Sequence, residues 1–387
     1  MTILRANTIS DEEALRLRAR FPIFESKRYL NTCSLGPVSD ESLAALQEYG
    51  RDWARFGAPA WWEAWIPRIE EVRAQFARLI GCTSEVVAIH HSISSALSTV
   101  ASSIDYTHRR KVIVAELDFP TIAYQWLARS DVEVVFALSN NGVTVPLDEY
   151  ERLIDDQTAA VATSHVFYAT GAVQDVRSIA EIARRRGALS IVDGYHAVGV
   201  MPVDVPSLDP DFYLGGTLKW VCGGPGLTFI AVSPRVAPET RPGATGWFAA
   251  ADQFAFQTRT FAPADTANRF QMGTPAVGTV YAAGPALKLL LDLGMDRVWE
   301  RDQALTSRLV DHASARGLRL ASPLDAVSRG SIVLLQASDP ASVVEHLGRQ
   351  GIIVDARPGK VRLSPHFYNT ESDVDEAVEA AARAIRT

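Results

Sequence analysis

Cysteine is scarce in this chain: Cys33, Cys82 and Cys222 are the only three in 387 residues. They are too few and too scattered for a disulfide framework or a zinc site, and a reducing cytoplasm suits such a chain best. Clustered positive charge is missing as well. Thirty-eight Lys and Arg against 45 Asp and Glu leave a net charge of −7. An acidic chain without a basic block is poorly equipped to neutralise phosphates along a nucleic acid. No apolar run approaches the roughly 18 residues of a membrane span, because Gly and Pro interrupt the uncharged stretches. Met1 to Pro22 carries Arg, Asp and Glu and has no apolar signal core, so export is not expected. Neither GxGxxG nor a Walker loop occurs, which deprives dinucleotide and nucleoside-triphosphate readings of their usual support.

What remains is a balanced globular composition, 47% hydrophobic and 21% charged, long enough for two domains. Residues 11–20 read as a helical lead-in. A helical pattern runs from about residue 40 to 80, with Trp53, Trp61, Trp62 and Trp65 crowded in it. Short apolar runs then alternate with helical stretches: 86–90, 111–115, 132–137, 159–166, 189–192, 212–214 and 227–232 read as strands. That rhythm predicts an α/β fold with a mostly parallel sheet covered on both faces. Beyond residues 275–285 two long helices (277–291 and 296–316) lead into a smaller α+β unit.

Open α/β sheets bind ligands past the carboxyl ends of their strands, and four such places carry chemistry. Asp193 closes the run 189–192. It is either a helix N-cap or a fixed anion that holds a proton on a heterocyclic nitrogen. Lys219 is the only lysine between Lys111 and Lys288 and stands among Leu, Trp, Val, Cys and Gly. Burial there lowers its pKa and favours the neutral amine that adds to an aldehyde. His90 to Ser95 form a hydroxyl-rich strand-to-helix junction, suited to ordinary capping or to a phosphate. Arg362 lies in an alternating strand, where it either faces solvent or grips a carboxylate. Together these groups describe one cofactor, pyridoxal 5′-phosphate.

From Asn31–Gly36 to the last helix, the chain resembles the fold-type I class V aminotransferase group, which includes kynureninases, cysteine desulfurases and isopenicillin N epimerase-like proteins. The stretch Asp193…His196…Lys219 and the segment Val361–Thr370 carry the likeness most specifically. The resemblance implies an aspartate-aminotransferase-like large domain with a seven-stranded type of sheet. It implies an N-terminal segment (1–24) packed on the small domain, a cofactor-binding domain (25–280) and a small domain (281–387). Lys219 resembles the lysine that carries the cofactor, Asp193 the partner of the pyridine nitrogen, and His196 the polar residue beside it. Phe119 resembles the ring that stacks on the cofactor, and Tyr168 a further contact. Ile93, Ser94 and Thr217 match phosphate positions. Trp247 and Thr274 match positions that reach a neighbouring subunit's cofactor, which implies a homodimer. Arg362 resembles the clamp for an amino-acid substrate's carboxylate, with Phe248 nearby.

Several fragments lean toward kynureninase: Phe119–Thr121, Tyr168–Gly171, Gly246–Phe248, Arg329–Ser331 and Asp355–Arg357. Two positions depart from it. Leu218 stands where kynureninases carry Tyr, and Ile122 where they carry Asp. No cysteine follows residue 222, so the mobile small-domain cysteine of the desulfurases has no counterpart. The expected activity is that of a lyase acting at the β-position of an α-amino acid (C–S or C–C). A class V aminotransferase, an epimerase and a non-catalytic binding subunit stay open. The cluster of Trp61, Trp62, Trp65, Trp247 and Phe248 suggests either a bulky substrate or core and dimer packing.

Overall fold

The computed structural model describes residues 8–386. The first seven residues of the expected N-terminal segment therefore lie outside the described residues. Helices α1 (Asp11–Arg18) and α2 (Asp40–Phe56) begin at Ser10 and Ser39, whose hydroxyls accept from Glu13 N and Ser42 N. Strand β1 (Arg28–Tyr29) lies between them. The helical pattern over residues 40–80 is interrupted: α2 stops at Gly57, with φ of 59°, and Pro59 follows. The chain re-enters through a π-turn over Trp61–Trp65 into α3 (Ile66–Leu79). Positive φ and a missing N–H end a helix whatever the flanking periodicity.

A seven-stranded sheet follows, built from β2 (Val87–His90), β3 (Lys111–Ala115), β4 (Glu133–Ala137), β5 (Thr158–Ser164), β6 (Leu189–Asp193), β7 (Phe212–Gly216) and β8 (Thr228–Val232). Its order is β2-β8-β7-β6-β5-β3-β4. Every pairing is parallel except the two made by β8. The reversal at β8 follows from its short connection to β7, since a parallel return needs a long crossover. The remaining crossovers carry α4 (Ile93–Ser102), α5 (Pro120–Leu127), α6 (Leu147–Leu153), α7 (Val176–Arg185) and the short α8 (Val205–Leu208). One face of the sheet buries Leu97, Val112, Trp126 and Ile230. The other buries Val72, Phe76, Phe229 and Leu287, with the Phe76 and Phe229 rings stacked 3.9 Å apart.

Helices α9 (Val277–Leu293) and α10 (Met295–Ala315) lead into the second unit, and α9 packs back against α2 and α3. The second unit comprises β9 (Val333–Gln336), α11 (Pro340–Arg349), β10 (Ile352–Ile353), β11 (Asp355–Arg357), β12 (Lys360–Leu363) and α12 (Glu371–Arg386). Its antiparallel sheet runs β11-β12-β9, while β10 pairs parallel with β1. The N-terminal helix is tied to this unit through Arg18–Asp373 at 3.2 Å and Arg297–Glu13 at 2.7 Å. The sequence pattern passes over β11, a strand too short and too charged to stand out. Among the described residues no helix is long and apolar enough to cross a membrane, and no His, Cys, Asp and Glu group of three or more could hold a metal ion.

Candidate active site

The strand order places β3 next to β5 while the chain steps from β3 out to β4 and back. Parallel sheets open a crevice at such a switch. The carboxyl ends of β3, β5 and β6 deliver Phe119, Ser164 and Asp193 to one cleft, and the β7–β8 connection delivers Lys219.

Lys219 is the chemical centre. Its Nζ lies 2.7 Å from His196 Nε2 and within 6 Å of the Phe119 and Tyr195 ring centres, at 5.8 and 5.1 Å. Burial lowers its pKa from 10.5 to about 8, against the opposing pull of Asp193. His196 is buried, and burial followed by the Lys219 charge pushes its pKa well below the usual value. The imidazole is therefore neutral, and its tautomer can be read from its other neighbour. Trp220 Nε1 lies 3.4 Å from His196 Nδ1. An indole N–H only donates, so Nδ1 accepts and the ring proton sits on Nε2. That proton points at Lys219, whose lone pair accepts it once the amine has lost its own proton. This arrangement favours the neutral, nucleophilic amine, in the same direction as the lowered pKa.

Asp193 is buried and lines the same cleft. Its Oδ1 accepts from Tyr195 N at 2.9 Å. Burial raises its pKa, opposed by that hydrogen bond and by Lys219. Behind it stands a second buried carboxylate, Asp118, which accepts from Ala115 N and Ser164 N at 2.9 and 2.7 Å. Asp118 ties the ends of β3 and β5 together and so fixes Phe119.

The cleft floor includes Ser92 and Ile93, at the start of α4. Ser92 and Ser95 form a capping box, while Ile93 and Ser94 open the helix, where N–H groups have no intrahelical acceptor. The Ser94 hydroxyl meets Thr121 Oγ1 at 2.7 Å. Thr217, two residues before Lys219, is fully buried with its hydroxyl donated to Gly224 O at 2.9 Å, and neither it nor Ser94 is among the cleft-lining residues.

Other expected site residues lie outside the cleft lining. Tyr168 is half-buried and packs edge-on against Phe119 at 5.2 Å, while its carbonyl accepts from Arg362 Nη1 at 3.1 Å. Arg362 is buried and pairs with Asp355 Oδ2 at 2.6 Å and Ser34 Oγ at 2.7 Å. The Thr274 carbonyl meets the ring of His91, a cleft residue, at 2.9 Å. Trp247 and Phe248 belong to an aromatic cluster with Trp61, and Trp62 joins it through Phe254. His366 is buried against Asp302 and the Trp220 carbonyl, at 2.8 and 3.1 Å, and is not among the residues lining the cleft. Sequence reasoning missed Tyr195 and Ser164, and it named Arg357 only as part of the fragment Asp355–Arg357, without a role. The first two follow from the rule already applied, since they stand at or just past strand ends; Arg357 required the unread strand β11.

The connection bearing Lys219 is held tightly. Cys222 adopts a left-handed φ of 61°, a conformation that costs a non-glycine residue energy and tends to mark functional loops. Gly36 N donates to Leu218 O at 2.8 Å. A Cβ on Gly36 would stand 2.1 Å from Lys219 O and 2.7 Å from Cys222 Cα, both backbone atoms that cannot swing aside. Gly36→Ala should lower stability by about 2 kcal/mol or more and displace the lysine. Thermal unfolding and cofactor absorbance should fall together.

A cleft at a strand switch point, lined by a lysine of lowered pKa and a buried carboxylate, defines an enzyme built around an aldehyde cofactor with a basic ring. The aminotransferase class-V family model matches residues 43–377, and the chain belongs to that family. YcbU of Bacillus subtilis, an uncharacterized aminotransferase, is 35% identical over 371 residues, covering 95% of this chain and 97% of the relative. The kynureninase of Deinococcus radiodurans is 31% identical over 389 residues, covering 95% and 92%. The apo cysteine desulfurase of Thermococcus onnurineus shares the fold, with a TM-score of 0.86 at 20% identity over 96% of this chain and 98% of that one. The protein is thus an enzyme dependent on pyridoxal 5′-phosphate. The residues present suit that group: an amine whose pKa burial lowers, a carboxylate with no hydrogen-bonded cation among the described residues, an aromatic ring and a helix start share one cleft.

Proposed function

We propose that the protein is a pyridoxal-phosphate lyase that breaks a bond at the β-position of an α-amino acid, C–S or C–C. The observation that carries this reading is the convergence beside Lys219 of fragments far apart in sequence. Phe119, Tyr168 and Arg357 form a continuous line of contacts, at 5.2 and 6.0 Å, and Arg362 is bonded to the middle of it. Phe119, Tyr168 and Arg357 come from three of the five fragments that lean toward kynureninase.

In this reading Asp193 holds a proton on the ring nitrogen and Phe119 covers the ring. Ile93, Ser94 and Thr217 serve the phosphate. His196 holds the Lys219 amine in place until it takes the proton from Cα. Arg362 fixes the substrate's carboxylate. The bound cofactor supplies the electron sink for the pair left at Cα. Residues 25–280 carry the cofactor, and 281–387 bring Arg362 to the substrate. Trp247 and Thr274 serve the neighbouring subunit of a homodimer, a role consistent with their lying outside this cleft. Phe248, held in the same aromatic cluster, contacts substrate only from that direction. Cys33, Cys82 and Cys222 are all unpaired, which supports a reducing, cytoplasmic setting.

Incubation with S-alkyl and S-aryl cysteine conjugates and with kynurenines tests the reading. Pyruvate with ammonia, or alanine with anthranilate, is the expected outcome. The similarity to YcbU and the presence of Leu218 in the cleft favour aminotransfer as the second reading. Amino transfer to a 2-oxo acid, or Cα-proton exchange with no cleavage product, would decide for that or for epimerisation.

A further inference from the structure

Strands β11 and β12 pair Asp355 directly with Arg362, so both side chains leave the same face of the sheet. Arg357, two residues along β11, shares that face. One oxygen, Asp355 Oδ2, accepts from Arg362 Nη2 and from the Ser34 hydroxyl, both at 2.6 Å, and lies 2.8 Å from Arg357 Nη1 as an ion pair, while Arg357 Nη1 donates to Ala356 O at 2.6 Å. The other oxygen, Oδ1, is turned to the backbone N–H of Ala356 at 2.8 Å. The pair with Arg362 is therefore single-pronged. Arg362 Nε is buried and has no acceptor among the described residues.

This is an incomplete pairing for a buried guanidinium, whose planar fork matches both oxygens of a carboxylate. A buried cation needs an anion, and Asp355 supplies the charge but not the full geometry. Exposure is also graded. The Arg362 side chain is 1% exposed, against 21% for Asp355 and 27% for Arg357. An incoming anion thus reaches Arg362 by displacing a carboxylate rather than water, and the displaced carboxylate already touches a second, more open guanidinium.

We propose that Asp355 is a built-in stand-in for the substrate's carboxylate: it occupies Arg362 in the free enzyme and passes to Arg357 when an α-amino acid enters. The inference rests on the reading of Arg362 as the carboxylate clamp. It makes Arg357 a specificity residue, because without it the displaced Asp355 has no cation to receive it. It also disfavours amines that lack a carboxylate, which cannot displace Asp355.

The test uses the holoenzyme and sodium propionate, a carboxylate with no amine to react with the cofactor. Binding is read from the cofactor's visible spectrum and from thermal stabilisation, with propionamide as the uncharged control. Asp355→Asn should tighten propionate binding about tenfold, a modest share of the strength of a charged hydrogen bond, and leave propionamide unchanged. Arg357→Gln should weaken propionate binding several-fold, and this residue is open enough to be replaced without unfolding the sheet. Arg362→Gln should abolish propionate binding in either background. If Asp355→Asn weakens or does not change binding while Arg362→Gln still abolishes it, the stand-in role is overturned and the clamp survives. If Arg357→Gln leaves binding unchanged, the transfer is overturned in the same way. Retention of binding in Arg362→Gln would remove the clamp itself, and the stand-in with it.

Discussion

Lys219→Ala should yield a folded protein without the visible absorbance of a covalently held cofactor, and turnover should fall by at least about 10³-fold, the scale of losing a positioned base. Two functions disappear together, because the same amine would hold the cofactor's aldehyde carbon and then take the Cα proton. Folding should survive. The connection carrying residue 219 is fixed by backbone contacts, Gly36 N to Leu218 O and Cys222 N to Lys219 O at 2.8 and 2.9 Å, none of which uses the side chain. A companion measurement isolates the amine. In cofactor-free protein, the rate of aldehyde capture should rise with pH through about 8, the value to which burial lowers Lys219, and then level off. The sign follows from the nucleophile being the deprotonated form. His196 cannot supply that limb, since burial holds it neutral well below this range. Persistence of the visible band in Lys219→Ala, or a limb near the usual lysine value, would count against the assignment.

Much of this arrangement can be read from the chain before folding. Buried strands in a parallel sheet have to be nearly all apolar, so the runs 111–115, 159–166 and 189–192 announce themselves. The residue that breaks each run lies at the crevice by necessity. That is why Asp193 is legible, and Lys219 stands out in a segment with no other cation, whereas Phe119 is legible only through the family resemblance. Tertiary pairing is not legible in this way. Asp355 meets Arg362 because a three-residue strand pairs with its neighbour, and no periodicity declares a strand so short. Ser34 reaches the same carboxylate from the other end of the chain. The tryptophans near residue 60 fail for a related reason. Their crowding is visible in sequence, but that they meet Trp247 and Phe254 and do not line the cleft depends on a long irregular segment. The path of the antiparallel β8 depends on a connection length, not on composition.

Asp193→Asn should separate charge from shape. Asparagine keeps an acceptor for Tyr195 N, so the turn after β6 is preserved, and it removes a carboxylate that burial disfavours. Stability of the cofactor-free protein should hold or rise, because an incompletely paired buried charge is a burden rather than a support. Function should move the other way. A carboxylate facing the ring nitrogen keeps that nitrogen protonated, and without it the ring accepts electrons poorly. Turnover should drop by roughly 10² to 10⁴-fold, as for other groups that stabilise developing charge in an enclosed site. A cofactor analogue methylated on the ring nitrogen carries the positive charge permanently. It should restore part of the loss in Asp193→Asn and do nothing for Lys219→Ala. A second readout needs no turnover at all. Asp193 is the leading influence that raises the Lys219 pKa against burial, so neutralising it must lower that pKa further. The pH limb for aldehyde capture should therefore shift to the acid side in Asp193→Asn. A limb that stays in place would mean that the two groups do not share one electrostatic site, and the assignment of Asp193 to the ring nitrogen would lose its support.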